Sequence, residues 1–181
     1  MPDWTGSGSR WYHKPVIGVN SIESLALGLG AFKQNNPASA TWPSANRAIF
    51  VPLTLNGPYN VTKVWWLNGG TASGNLDCGV YSDDGALLLN AGSTAQSGTN
   101  VLQSVALGSA VLLSPGNYYM ALAASSGTAT VLAQTTAARV LATLGCSQQA
   151  LGGLPLPNSF TLASLASAFL PSFGIANASV I

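Results

Sequence analysis

Charge is what this sequence has least of. Its 181 residues include six Lys or Arg, five Asp or Glu and one His. Charged residues make up 6% of the chain, against about 25% in an ordinary soluble domain. Six scattered basic residues and a net charge of +1 leave no electrostatic footprint for nucleic acid. No acidic tail or basic amphipathic stretch is present either. Long apolar runs are also missing. The longest, around 101–113 and 162–169, are short and broken by Ser, Gly or Gln, so no membrane-spanning helix is expected. The opening residues MPDWTGSGSRWYHKP lack the apolar stretch of a signal peptide.

Cysteine is nearly absent, and Cys78 and Cys146 form neither a CxxC motif nor a Cys/His cluster, so a structural zinc site has no support. The two can pair across a sandwich or stay as two reduced, buried thiols. Nothing in their spacing demands a bond, and the second reading is preferred. Catalytic groups are equally sparse. The lone His13 lies in WYHKP, and no Gly-x-Ser-x-Gly elbow accompanies it. A glycosidase needs two carboxylates facing across a cleft. Asp77 with Asp83 or Asp84 is the one candidate pair, or part of a calcium site with loop carbonyls. The simpler reading makes Asp83 and Asp84 part of a turn and places Asp77 on a solvent face. Gly28, Gly30 and Gly69-Gly70 are not followed by the Lys-Ser/Thr of a phosphate loop. No catalytic residue, metal or cofactor is expected.

What is present is apolar and punctuated. Apolar residues make up 48% of the chain, with 20 Gly and 10 Pro. From about Arg47, short alternating runs are separated by turn signals such as Asn56-Gly57-Pro58, Ser82-Asp83-Asp84-Gly85 and Ser114-Pro115-Gly116. Pro52 within the first run suggests an edge strand or a bulge. In the next run, Val61, Lys63, Trp65 and Leu67 alternate with Thr62, Val64, Trp66 and Asn68, so each face carries a Trp and the strand should be covered on both sides. About seven such runs, with turns every 8–12 residues, predict an all-β antiparallel β-sandwich, jelly-roll-like in its spacing. Residues 135–144 (TTAARVLATL) are the main candidate for a short helix.

The two ends read differently. Residues 1–45 hold three of the five tryptophans (Trp4, Trp11 and Trp42) among Gly and Pro, which predicts a docking arm, because a free Trp forfeits a large gain from burial. Residues 46–144 are expected to form the sandwich. Residues 145–181 are apolar but irregular, and such a segment must find cover on its own domain or on a neighbour. The second is preferred, which makes Trp4, Trp11, Trp42, Phe160, Phe169 and Phe173 candidate partner-binding residues. Trp66, Tyr81 and Tyr119 are candidates for stacking on a sugar ring. The rival reading buries one residue of each adjacent aromatic pair.

One resemblance enters here. A strand ending at Asn68-Gly69 is followed by GNLDCGVY (74–81), Asp84-Gly85, a Ser/Thr/Gly turn (93–99) and LSPGNYYMA (113–121). This succession, over residues 48–134, resembles a β-sandwich module of structural proteins in tailed bacteriophages. The resemblance implies a virion protein without enzymatic activity, of the capsid decoration (cement), tail or fibre kind. It implies contact with other virion proteins, a homo-oligomer (a trimer for a cyclic part), and in some members a host glycan or receptor. Fold does not set the role among these. A carbohydrate- or receptor-binding module is the alternative.

Overall fold

The computed structural model describes residues 37–135 and 137–177. Two antiparallel layers pack face to face as a β-sandwich. The first strand, β1 (Ala38–Thr41), leads into β2 (Arg47–Leu55), β3 (Tyr59–Leu67), β4 (Asn75–Ser82) and β5 (Leu87–Asn90). Then come β6 (Thr94–Ala95), β7 (Leu102–Leu113), β8 (Gly116–Ala124) and β9 (Thr130–Gln134). A six-residue helix, α1 (Ala138–Thr143), precedes β10 (Ser147–Ala150), β11 (Ala163–Ser164), β12 (Leu170–Pro171) and β13 (Phe173–Ala176).

The first layer has the order β11-β10-β2-β8-β4-β5, with β6 also on β4. The second is built from β1-β9-β12 and β13-β3-β7. These two parts join at Ser172. Its N–H donates to the Leu132 carbonyl (2.9 Å), and its own carbonyl accepts from the Leu67 N–H (3.0 Å). β3 and β9 meet directly at Asn68 and Val131, and residues 170–176 occupy the fork between them. The pairing supports a two-layer antiparallel sandwich and adds no separate support for a jelly-roll order.

The core follows the alternation of the strands. Ile49, Val51, Leu53 and Leu55 of β2, Leu76, Cys78 and Val80 of β4, and Met120 and Leu122 of β8 face Val61, Val64, Trp66, Val131, Phe173 and Ile175 of the other layer. In β3 the alternation changes phase. The register of β3 on β7 shifts between Val61 and Lys63, and this bulge puts Val61 on the same inner face as Val64 and Trp66. A strict period of two would have put Val61 with Trp65. Both tryptophans are nonetheless covered, as the paired pattern predicted: Trp65 packs its ring over Gly174, its partner on β13.

Several local expectations hold. Gly85 closes the β4–β5 hairpin with φ +95°, and Ser82 N–H bonds to the Ala86 carbonyl at 2.9 Å. Helix α1 falls within 135–144, and Gly145 (φ +85°) ends it in the left-handed conformation that favours glycine. Pro52 lies beyond the stretch of β2 that β10 covers, where that side of the strand has no partner and a missing N–H is tolerated. One turn differs. Pro115-Gly116 suits a type II turn in the sequence, yet Gly116 opens β8 opposite Leu55 and does not take the positive φ which that turn needs. The Tyr118 hydroxyl ties that connection instead, donating to the Ser114 carbonyl at 2.7 Å.

The division into arms is corrected. Residues 145–177 are not an irregular arm; they supply β10 to the edge of β2 and residues 170–176 to the middle of the second layer. Within residues 1–45, β1 pairs along β9, and Trp42 is 1% exposed. The Trp42 indole donates to the Arg47 carbonyl (3.0 Å) and meets Phe169 edge-on at 5.3 Å. Sequence pattern alone missed this because an apolar segment is equally satisfied by burial on its own domain or on another.

The close approach of Trp65 to Gly174 yields a prediction. A Cβ at Gly174 would lie 2.9 Å from the Trp65 ring, whereas one at Gly108 meets nothing within 4 Å. Gly174→Ala is therefore expected to cost about 1–3 kcal/mol through overpacking. In urea denaturation its midpoint should fall well below that of Gly108→Ala.

Candidate interaction surface

The outer face of the first layer carries Ala48, Phe50, Tyr81, Ala121 and Ala123, and residues 151–162 cross it as a strap. Leu156 is the buried apolar anchor. The polar anchor is Asp77, whose Oδ2 accepts from the Leu156 N–H at 2.7 Å and from Asn90 Nδ2 at 2.8 Å. The Tyr81 hydroxyl donates to the Pro157 carbonyl at 2.8 Å. Phe160 completes the cover, with its ring 5.4 Å from Phe50, 5.4 Å from Tyr81 and 5.3 Å from Tyr119.

Asp77 thus sits beneath the strap, fully buried, and the expected solvent-facing position is corrected. Burial raises its pKa, against the smaller opposing pull of its hydrogen bonds to Leu156 and Asn90. Its Oδ1 is buried without a hydrogen-bond partner, and the Ala91 and Gly92 backbone also acts to lower the pKa. Asp84 behaves oppositely. It is exposed in the hairpin turn, accepts from the Ser82 hydroxyl, and is held below the usual carboxylate value. The two acids therefore serve a strap and a turn.

One end of the sandwich is organised by amides. Asn68, fully buried, makes four hydrogen bonds. Its Oδ1 accepts from Trp66 Nε1 (3.0 Å) and Gln96 Nε2 (3.0 Å), and its Nδ2 donates to the Ser97 carbonyl and to Gln103 Oε1. Gln96 continues to the Thr130 carbonyl (2.7 Å) and the Ser73 N–H (2.9 Å), and Gln103 to the Ala95 carbonyl (2.8 Å). This network locks the connections after β3, β6 and β8 to one another without any charge. Sequence reading had no signal for it, because three amides in separate segments carry no spacing rule.

The candidate site residues are distributed as follows. Trp66 lies in the inner core and Tyr81 under Phe160, both fully buried. Neither can stack on a sugar from solvent, and only Tyr119, half-buried beside Phe160, keeps an accessible part. Trp42, Phe169 and Phe173 are buried within this chain, so their assignment to partner binding is also corrected. Phe160 is half-buried in the aromatic cluster. Trp4 and Trp11 lie outside the described residues. Both cysteines are buried and unpaired; burial pushes the Cys146 thiol up to about 11 and raises the Cys78 thiol well above its ordinary value, which makes both poor nucleophiles at neutral pH. Among the described residues, no three of His, Cys, Asp and Glu come together as a metal-binding group.

Among the described residues, the longest open rim is formed by β7. It pairs with β3 on one side only, and it carries Leu112, 68% exposed and the most exposed large apolar side chain of the described residues, with Val101 just before it. Compared with protein-family models, curated proteins and solved structures, the chain has no match.

Two measurements check this account. Asn68→Ala would leave donors and acceptors of Trp66, Gln96 and Gln103 dry, at about 1–3 kcal/mol for each one unsatisfied. It should lower the unfolding midpoint far more than Thr54→Ala, which removes only an exposed bond to Asn117. For Asp77, a folded-state pKa above the unfolded value means that the native state holds its proton more tightly. Its contribution to stability is complete below the ordinary carboxylate value of 3.8 and is lost as pH rises through the raised value. The window for Asp84 lies below 3.8 and has the opposite sign. Thermal unfolding across the acid range should therefore show the wild type losing stability on the climb above pH 3.8, and Asp77→Asn should flatten that fall.

Proposed function

We propose that this chain is a non-enzymatic structural protein of a bacteriophage virion, a capsid decoration or a tail or fibre component, joined to neighbouring virion proteins through the segment that precedes β1. The observation that carries the reading is the resemblance over residues 48–134, set in a fold where three of the charged residues serve structure. Asp77 holds the strap, Asp84 holds a turn, and Arg47 reaches Gln148 at 3.1 Å. Neutral surfaces favour association, and an interface core is depleted of charge in the same way.

Residues 145–177 are not assigned to this attachment, since their strands are built into the sandwich. That leaves residues 1–36, with Trp4 and Trp11, as the docking segment. The glycan-binding alternative is weakened by the burial of Trp66 and Tyr81 and now rests on Tyr119.

The test is deletion of residues 1–36, which spares β1 and Trp42. The shortened chain is expected to keep its circular dichroism and thermal unfolding but to disappear from purified particles of the phage that encodes it. Incorporation at the normal copy number without residues 1–36 would defeat the reading. So would glycan-array binding by the isolated chain that Tyr119→Ala abolishes.

A further inference from the structure

The geometry points to a contact between copies of this chain: we propose that two copies pair edge to edge through β7, with residues 102–106 of one running antiparallel to residues 102–106 of the other. Among the described residues β7 is the longest strand, at 12 residues, and ends the second layer with only β3 beside it. The other sheet margins are short: β1 and β5 have four residues each, β6 and β11 two each. Protein edges are commonly guarded by Lys, Pro or inward-pointing charge. None of these occurs in residues 101–113, VLQSVALGSAVLL.

A bulge narrows the site to one half of the strand. The β3 register jumps from Val61 opposite Val111 to Lys63 opposite Ala106, so residues 107–110 stand against Thr62 alone, which disrupts a regular ladder there. Residues 102–106 stay in register, from Leu102 opposite Leu67 to Ala106 opposite Lys63, and their outer side offers backbone groups to another strand.

The nature of this segment selects a second copy as its occupant. A two-fold axis through Ser104 sets a strand antiparallel to itself. It places Leu102 opposite Ala106, Gln103 opposite Val105, and Ser104 opposite Ser104. Self-pairing sets the segment against its own charge pattern, so an edge carrying one sign of charge would repel itself; residues 102–106 carry no charge. Gln103 brings no unpaired amide to the contact, because its side chain is already bonded to Asn68, Ser97 and Ala95. The other strands that end a sheet have four residues or fewer, and the stretch of β2 beyond β10, residues 51–55, is interrupted by Pro52. The net charge of +1 adds no long-range repulsion.

This inference supplies one contact for the assembly proposed above, yet it is tested in solution without particles, so its failure and that of the virion reading are separable. The full chain is expected to sediment as a monomer–dimer equilibrium. Ser104→Lys combined with Ala106→Lys should raise the dimer dissociation constant about tenfold or more, while Ala163→Lys on the β11 margin should leave it unchanged. Amide hydrogen exchange of the wild type should slow at residues 102–106 as concentration rises. That reading decides the matter if the double variant does not fold. A wild type that stays monomeric, one that forms a trimer, a folded double variant that dimerises like the wild type, or concentration-dependent protection confined to other strands would each overturn the proposal.

Discussion

The second layer of the sandwich depends on one strand near the C-terminus. Without residues 170–176, β9 and β3 would touch only at Val131 and Asn68, and the fork between them would open the core under Phe173 and Ile175. Ser172, bonded to both neighbours, joins two three-stranded pieces into one layer. The last part of the chain is thus the piece on which the earlier parts close. Long-range pairing of this kind carries its loop-closure cost before its contacts form.

The strap follows from the same shortage that marks the sequence. With few charged side chains to solvate it, the outer face of the first layer is apolar: Ala48, Phe50, Tyr81, Ala121 and Ala123. Residues 151–162 cover that face and leave one carboxylate beneath them. Elsewhere the polar interior is made of amides. Asn68, Gln96 and Gln103 satisfy one another and the loop backbone, and a neutral amide is far less costly to bury than an ion when its partners are complete. With both faces of the first layer and the inner face of the second closed, the margin of β7 is the longest sheet edge among the described residues.

Much of the local structure was legible in residue order. The hairpin at Asp84-Gly85, the short helix in 135–144, the alternation of β2, β4 and β8 and the double cover on Trp65 and Trp66 each follow from steric and periodic rules acting over a few residues. The failures share a cause. The bulge at Val61–Lys63 inserts an extra step that no alternation count reveals. Asp77 reads as solvent-facing until a strap from a distant part of the chain covers it. Tyr81 looked available for a sugar until Phe160 and Pro157 arrived over it.

The sequence by itself determined the class of structure and the character of its surface. Period-two alternation with turn residues at short intervals permits an all-β sandwich, and eleven charged residues in 181 permit a largely neutral exterior. Only the tertiary structure decided what the apolar ends and the scattered aromatics are for. Burial is non-directional, so the same Trp42, Phe169 or Phe173 gains as much in a partner's groove as in this chain's own core. The choice was made by hydrogen-bond register: Phe173 opposite Trp66 and Gly174 opposite Trp65, a match that exists only once β3 is in place.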